Sequence, residues 1–160
     1  MPFKSTKIFT GYSTAFRQHR ATDSHCRFLH GYSLKFKVTF VGDLDDKNWV
    51  MDFGCFKKNG IKEYLNFMFD HTTIVAKDDP NLSTFGQLEE QGIIQLRVLN
   101  NVGCEKFAEY VFNYIAKELD SVRVKVESVE CIENDSNSAT YNENRSGILP
   151  YNKQRKLNEL

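Results

Sequence analysis

The sequence predicts an α+β domain in which an antiparallel sheet carries two helices on one face, in the order β-β-α-α-β-β. Three patterns predict it. Leu34, Phe36, Val38 and Phe40 alternate with Ser33, Lys35, Lys37 and Thr39, the period of two of a half-buried strand. Phe107, Tyr110, Val111, Tyr114, Ile115 and Leu119 recur at helical spacing. Val122, Val124 and Val126 alternate with Arg123, Lys125 and Glu127. Strand pairs that flank helices bury their apolar faces by packing the helices on one side of a common sheet.

Residues 7–16 read as a first strand with loose alternation, and 17–30 as a polar loop crowded with His, Arg and Asp. The strand at 33–40 is then its antiparallel partner across that loop. Residues 42–48 are rich in turn formers. Asp52 stands where an N-cap would serve a helix over 53–69, with Phe56, Ile61, Tyr64, Leu65 and Met68 on one side. Gly60 lowers that helix by about 1 kcal/mol relative to Ala. A short helix over Leu82–Glu90 ends at Gly92, and Ile93–Leu99 reads as a short extended segment. The main helix runs from Glu105 to Leu119. Strands follow at 122–126, at 130–133 and at Ala139–Tyr141. One domain is expected over 1–147, with a polar tail over 148–160.

The chain has 160 residues, of which 41% are hydrophobic, enough for a single core. Lys+Arg and Asp+Glu are both 21, which argues against a dedicated nucleic-acid partner. No apolar run approaches the roughly 20 residues that span a bilayer. Met1–Lys7 lacks the apolar centre of a secretory signal. A soluble, cytoplasmic protein with no membrane partner is expected. The four cysteines are widely spaced with no CxxC pair, so they read as reduced thiols.

The four histidines fall in two places: His19, His25 and His30 in one loop, and His71 after Asp70. A loop between paired strands can bring His19 and His30 to one ion. Catalytic zinc takes three protein ligands and keeps one position open; the alternative is a solvated loop with incidental histidines. Cys26, between His25 and Arg27, is either an activated thiol or a small filler. Asp70-His71 offers a carboxylate that orients an imidazole, or simply ends a helix. Glu133 closes an apolar strand, where a carboxylate can grip a guanidine-like edge with two parallel hydrogen bonds or stand exposed.

In order along the chain, these pieces resemble a known family. Cys26-Arg27-Phe28-Leu29-His30-Gly31-Tyr32 resembles the Cys-x-x-Leu-His-Gly-His signature of the 6-pyruvoyltetrahydropterin synthases and the bacterial 6-carboxytetrahydropterin synthases. His19-Arg20 is similar to the family's first-strand His-Arg, Trp49–Phe53 with Lys57 to its helix-opening segment, and Asp70-His71 to its Asp-His dyad. Gly103-Cys104-Glu105 resembles its second helix start, and Glu133 its pterin anchor. The likeness covers roughly residues 8–142.

The resemblance implies a tunnelling fold, a homohexamer of two stacked trimers, and sites shared between subunits forming an oligomeric barrel. It implies 7,8-dihydroneopterin triphosphate as substrate and Zn2+ as cofactor. Cys26 would abstract a proton, Asp70 and His71 would shuttle a second, and Glu133 would hold the pterin with help from Glu105. Arg17, Arg20 and Arg27 lie close by and would attract the triphosphate. His19 and His30 would bind the metal. Tyr32 stands where the family has its third ligand, so Tyr32 or His25 completes the set, or the site is lost. The short Cys-to-His spacing is of the bacterial type and favours the 6-carboxy product, a step toward 7-deazaguanine synthesis, over the 6-pyruvoyl product. The other readings are a pterin- or purine-binding protein without turnover and a relative acting on GTP.

Overall fold

The computed structural model describes residues 3–143; the boundary expected at 147 and the tail over 148–160 lie outside them. Six strands form one sheet: β1 Phe3–Phe16, β2 His30–Gly42, β3 Thr72–Ala76, β4 Leu96–Leu99, β5 Val124–Ile132 and β6 Ser138–Tyr141. Their spatial order is β4-β3-β1-β2-β5-β6. Helices α1 Cys55–Lys58, α2 Ile61–Phe69, α3 Leu82–Glu90 and α4 Cys104–Leu119 connect them. Among the described residues no helix is long and apolar enough to cross a membrane.

The β1-β2, β2-β5 and β5-β6 pairings are antiparallel, as expected. The sheet is nevertheless mixed, because β3 runs parallel to both β1 and β4. Strand β3 had no counterpart in the expected order. Its five residues, Thr72–Ala76, are all buried and so show no alternation. A strand covered on both faces reads as a featureless apolar run.

Two bulges account for the imperfect patterns. In β1, Thr10 and Gly11 both stand opposite Lys35, since Phe9 pairs with Phe36 and Tyr12 with Leu34. The inward positions therefore pass from Phe9 to Tyr12, Thr14 and Phe16, all buried. In β5, Glu127 is the extra residue, with Ser128 opposite Thr39 and Val126 opposite Phe40. The inward set shifts from Val124 and Val126 to Val129 and Cys131. The two strands expected at 122–126 and 130–133 are thus one bulged strand. Val122 lies outside it and is 97% exposed.

The expected helix over 53–69 is broken at Gly60, whose φ is +70°. Asp52 accepts a hydrogen bond from the Gly54 N–H at 2.9 Å, closing the turn before α1 and not capping the helix itself. At Gly60 a Cβ would meet nothing within 4 Å, so the cost of a side chain there is purely backbone. Gly60→Ala is expected to lower stability by about 1 kcal/mol, whereas a continuous helix would gain from it. Urea unfolding decides the sign.

The inward residues of β1, β2 and β5 join α1, α2 and α4 in one core, with Phe36, Phe40, Phe69 and Phe107 among its largest fully buried side chains. The two longest core helices are tied together by Tyr64. Its ring stacks on Tyr114 at 4.1 Å, and its hydroxyl is hydrogen-bonded to that of Tyr110.

Candidate functional site at the β1-β2 turn-back

β1 ends at Phe16 and β2 begins at His30, and these two are cross-strand partners. The intervening loop folds back on itself. The Gln18 N–H donates to Cys26 O at 2.8 Å, and Ser24 Oγ accepts from the Cys26 N–H at 3.1 Å. Cys26 therefore sits in a single 3-10 turn, His25–Arg27, held beside the end of β1. Its neighbours line a cleft of about 370 Å³ formed by His25, Cys26, Phe28, His30 and Tyr32.

His30 is oriented by its Nδ1, which lies 2.7 Å from Phe28 O. Tyr32 is two residues on and faces the same way. Burial, reinforced by the Glu133 charge, pushes its phenol above the ordinary value. Glu133 follows the end of β5, and its backbone N–H donates to Asn137 O at 3.1 Å in the connection to β6. Its carboxylate acts on both Tyr32 and Cys104. Cys26 and Tyr32 thus line one cleft, and the Glu133 charge reaches Tyr32. Cys104 and Cys131 are buried, and the nearness of Cys131 together with burial drives the Cys104 thiol strongly upward. Burial raises Cys55 as well. These three are inert packing thiols.

The other expected members lie elsewhere. His19 is beyond β1 and does not line the Cys26 cleft; its ring nitrogens are 3.8 Å from Asp78 and 3.9 Å from Asp79. It lines a second cleft of about 350 Å³ with Arg17, Gln18, Arg20 and Asp78. Arg17 is not available to a phosphate: its guanidinium grips Asp79 at 2.6 and 2.7 Å and Asn81 at 3.0 Å. That grip holds the Asp79 carboxyl below its ordinary value. Arg20 pairs with Asp78. Of the three arginines, Arg27 lies nearest the cleft, over the Phe28 ring at 4.5 Å and bonded to Thr22 O at 2.6 Å.

Glu105 is exposed in the first turn of α4. Gly103, before it, has φ +128°, and a Cβ there would lie 2.7 Å from Gln18 Nε2. That close approach seats α4 against the loop carrying Cys26.

Asp70 and His71 do form a pair, with Asp70 Oδ1 2.9 Å from His71 Nδ1. The His71 side chain is 77% exposed and lines a different hollow, with Ser13, Gly31 and Gln95. Its backbone is left-handed at φ +55°, an uncommon state for a residue other than glycine.

The zinc implied by the signature does not fit these residues. Among the described residues no three of His, Cys, Asp or Glu lie together so as to hold a metal ion. Phe16, which is 1% exposed, takes the inward place opposite His30. Phe16 went unremarked in the sequence because the bulge at Gly11 hides which residues of β1 face inward.

Three comparisons agree with this architecture. The sequence model of the 6-pyruvoyl tetrahydropterin synthase family matches residues 6–144. Over 98 residues the chain is 34% identical to a 6-carboxy-5,6,7,8-tetrahydropterin synthase of Rickettsia typhi, covering 59% of this chain and 67% of that one. A relative of the same name from Rickettsia felis is 31% identical over the same extent. An uncharacterized protein of Wolinella succinogenes shares the fold with a TM-score of 0.73 at 19% identity, over 88% of this chain and 98% of that one. The 6-pyruvoyl tetrahydropterin synthase of Caenorhabditis elegans does so with a TM-score of 0.60 at 19% identity, over 88% and 94%. By the match across nearly all of its described residues, the chain belongs to the 6-pyruvoyl tetrahydropterin synthase family, with the tunnelling-fold protomer that its signature implies.

Proposed function

We propose that the chain is a lyase that takes 7,8-dihydroneopterin triphosphate to 6-carboxy-5,6,7,8-tetrahydropterin, with the reaction centred on the Cys26 cleft. The observation that carries the reading is that Cys26, His30 and Tyr32 line one cleft, with the Glu133 charge acting on Tyr32, in a chain whose curated relatives bear that name. Glu133 accepts two parallel hydrogen bonds from the amino-pyrimidine edge. Cys26 takes a proton from the substrate side chain. Arg27, at the rim, attracts the phosphates. His71, backed by Asp70, moves a second proton. It is exposed and apart from Cys26 within one chain, so it serves the cleft of a neighbouring copy in the hexamer.

The product is the test. Mass spectrometry after incubation with 7,8-dihydroneopterin triphosphate is expected to find the 6-carboxy compound. Recovery of the 6-pyruvoyl compound would reassign the product, and recovery of bound, unchanged substrate would sink the enzyme reading. The binding-only alternative is favoured by one observation, that among the described residues no three of His, Cys, Asp or Glu lie together so as to hold a metal ion. Under either reading Glu133→Gln is expected to weaken pterin binding about 10- to 100-fold, as loss of a charge-assisted pair does. Fluorescence titration of a pterin measures it.

A further inference from the structure

A tetrahedral zinc centre needs donor atoms converging on one point at about 2.0–2.3 Å. On an antiparallel pair, the side chains that converge are a cross-strand pair and its neighbour two residues on. At the turn-back of β1 and β2 these are Phe16, His30 and Tyr32. Their rings already meet: the centroids are 5.2 Å apart for Phe16 and His30, 6.0 Å for Phe16 and Tyr32, and 5.3 Å for His30 and Tyr32. One of the three carries an imidazole, and Phe16 carries no donor atom. Phe16 is also locked edge-on against Phe107 at 5.1 Å, so it cannot swing aside for a donor from the loop. Of the other imidazoles, His19 faces Asp78 and Asp79; His25 lines the same cleft as Cys26 and His30, but among the described residues no three such donors lie together so as to hold an ion.

We infer that this chain has exchanged the metal centre of its fold for an aromatic seat. Phe16 and Tyr32 stand where two donors would have to stand, and His30 is left as a hydrogen-bonding imidazole with Nδ1 fixed and Nε2 for a ligand. The His30 and Tyr32 rings line the cleft with Phe16 buried behind them, and they suit a flat conjugated heterocycle held ring against ring, with no ion to coordinate its hydroxyls. The inference uses the same cleft as the pterin reading but stands whether or not a pterin is turned over.

Zinc stoichiometry tests it. The wild-type chain, produced in zinc-supplemented medium and purified without chelator, is expected to hold less than about 0.1 zinc per chain by elemental analysis. Its melting temperature should not move with EDTA. The double variant Phe16→His with Tyr32→His is expected to hold about one zinc per chain, to lose it when His30→Ala is added, and to melt lower in EDTA. Near-stoichiometric zinc in the wild type that disappears in His30→Ala would overturn the inference. So would a double variant that is folded by circular dichroism and takes up no zinc, because the three positions would then not face one point. If the double variant does not fold, the comparison of wild type with His30→Ala still decides. Pterin turnover is read separately by its product, so failure of one reading does not imitate failure of the other.

Discussion

Cys26→Ala is expected to lower turnover by about two to four orders of magnitude while pterin affinity changes little. The thiol is half-buried in a 3-10 turn that is held by backbone and Ser24 contacts, none of which involves its sulfur. Removing it neither opens a core cavity nor unseats the loop, so the loss falls on chemistry. Single-turnover kinetics gives the rate, and a binding titration on the same protein gives the affinity. Full activity in the variant would remove Cys26 from the mechanism. Cys104 and Cys131 supply the contrast. They are buried near each other, so their replacement should cost stability through packing.

Asp79→Ala is expected to lower the unfolding free energy by about 3–5 kcal/mol, the usual result of orphaning one partner of a buried ion pair. The Asp79 side chain is fully buried, accepts twice from Arg17, and also accepts from the Asn81 N–H at 2.8 Å. Arg17 follows Phe16 directly, so this pair fixes the end of β1 and the start of the Cys26 loop against the segment before α3. Asp79→Asn retains the acceptor for Asn81 but not the charge, and should lose most of the same energy. The pH dependence has a definite sign. The folded value of Asp79 is depressed, so its contribution is present above the unfolded carboxyl value of about 3.9. It is lost as pH falls through the lowered folded value. Urea midpoints of wild type and Asp79→Asn are therefore expected to differ at neutral pH and to converge in acid. A constant gap would mean the effect is packing and not charge.

Legibility in the sequence followed exposure. β2, α3 and α4 declare themselves because one face of each is wet, and the periodicity records which. β3 is wet on neither face and leaves no period. β1 and β5 carry periods that change phase at Gly11 and Glu127, so each half is readable and the join is not. Of the residues singled out through short motifs, Cys26 and His30 line one cleft. His19 falls outside that cleft: three residues past Phe16 the chain has left the strand, and the imidazole turns to Asp78 and Asp79. The grip of Arg17 on Asp79 joins residues 62 positions apart, and no local pattern announces it.

The placement of β1 and β2 at the middle of the sheet has a consequence for how the chain is made. Their hairpin is complete once residue 42 has left the ribosome, and it is the template on which every other strand is laid. One flank then grows outward through β3 and β4 and the other through β5 and β6, each waiting for residues synthesised later. The inward faces of Phe36, Val38 and Phe40 are covered first only in part by α1 and α2, where Phe40 meets Phe56 and Phe36 meets Phe69, and the cover is not complete until α4, sixty residues on. In that interval an apolar nascent sheet is open to solvent and to chaperones. Lys35 and Lys37, on the opposite side of the same strand, keep its other face wet throughout.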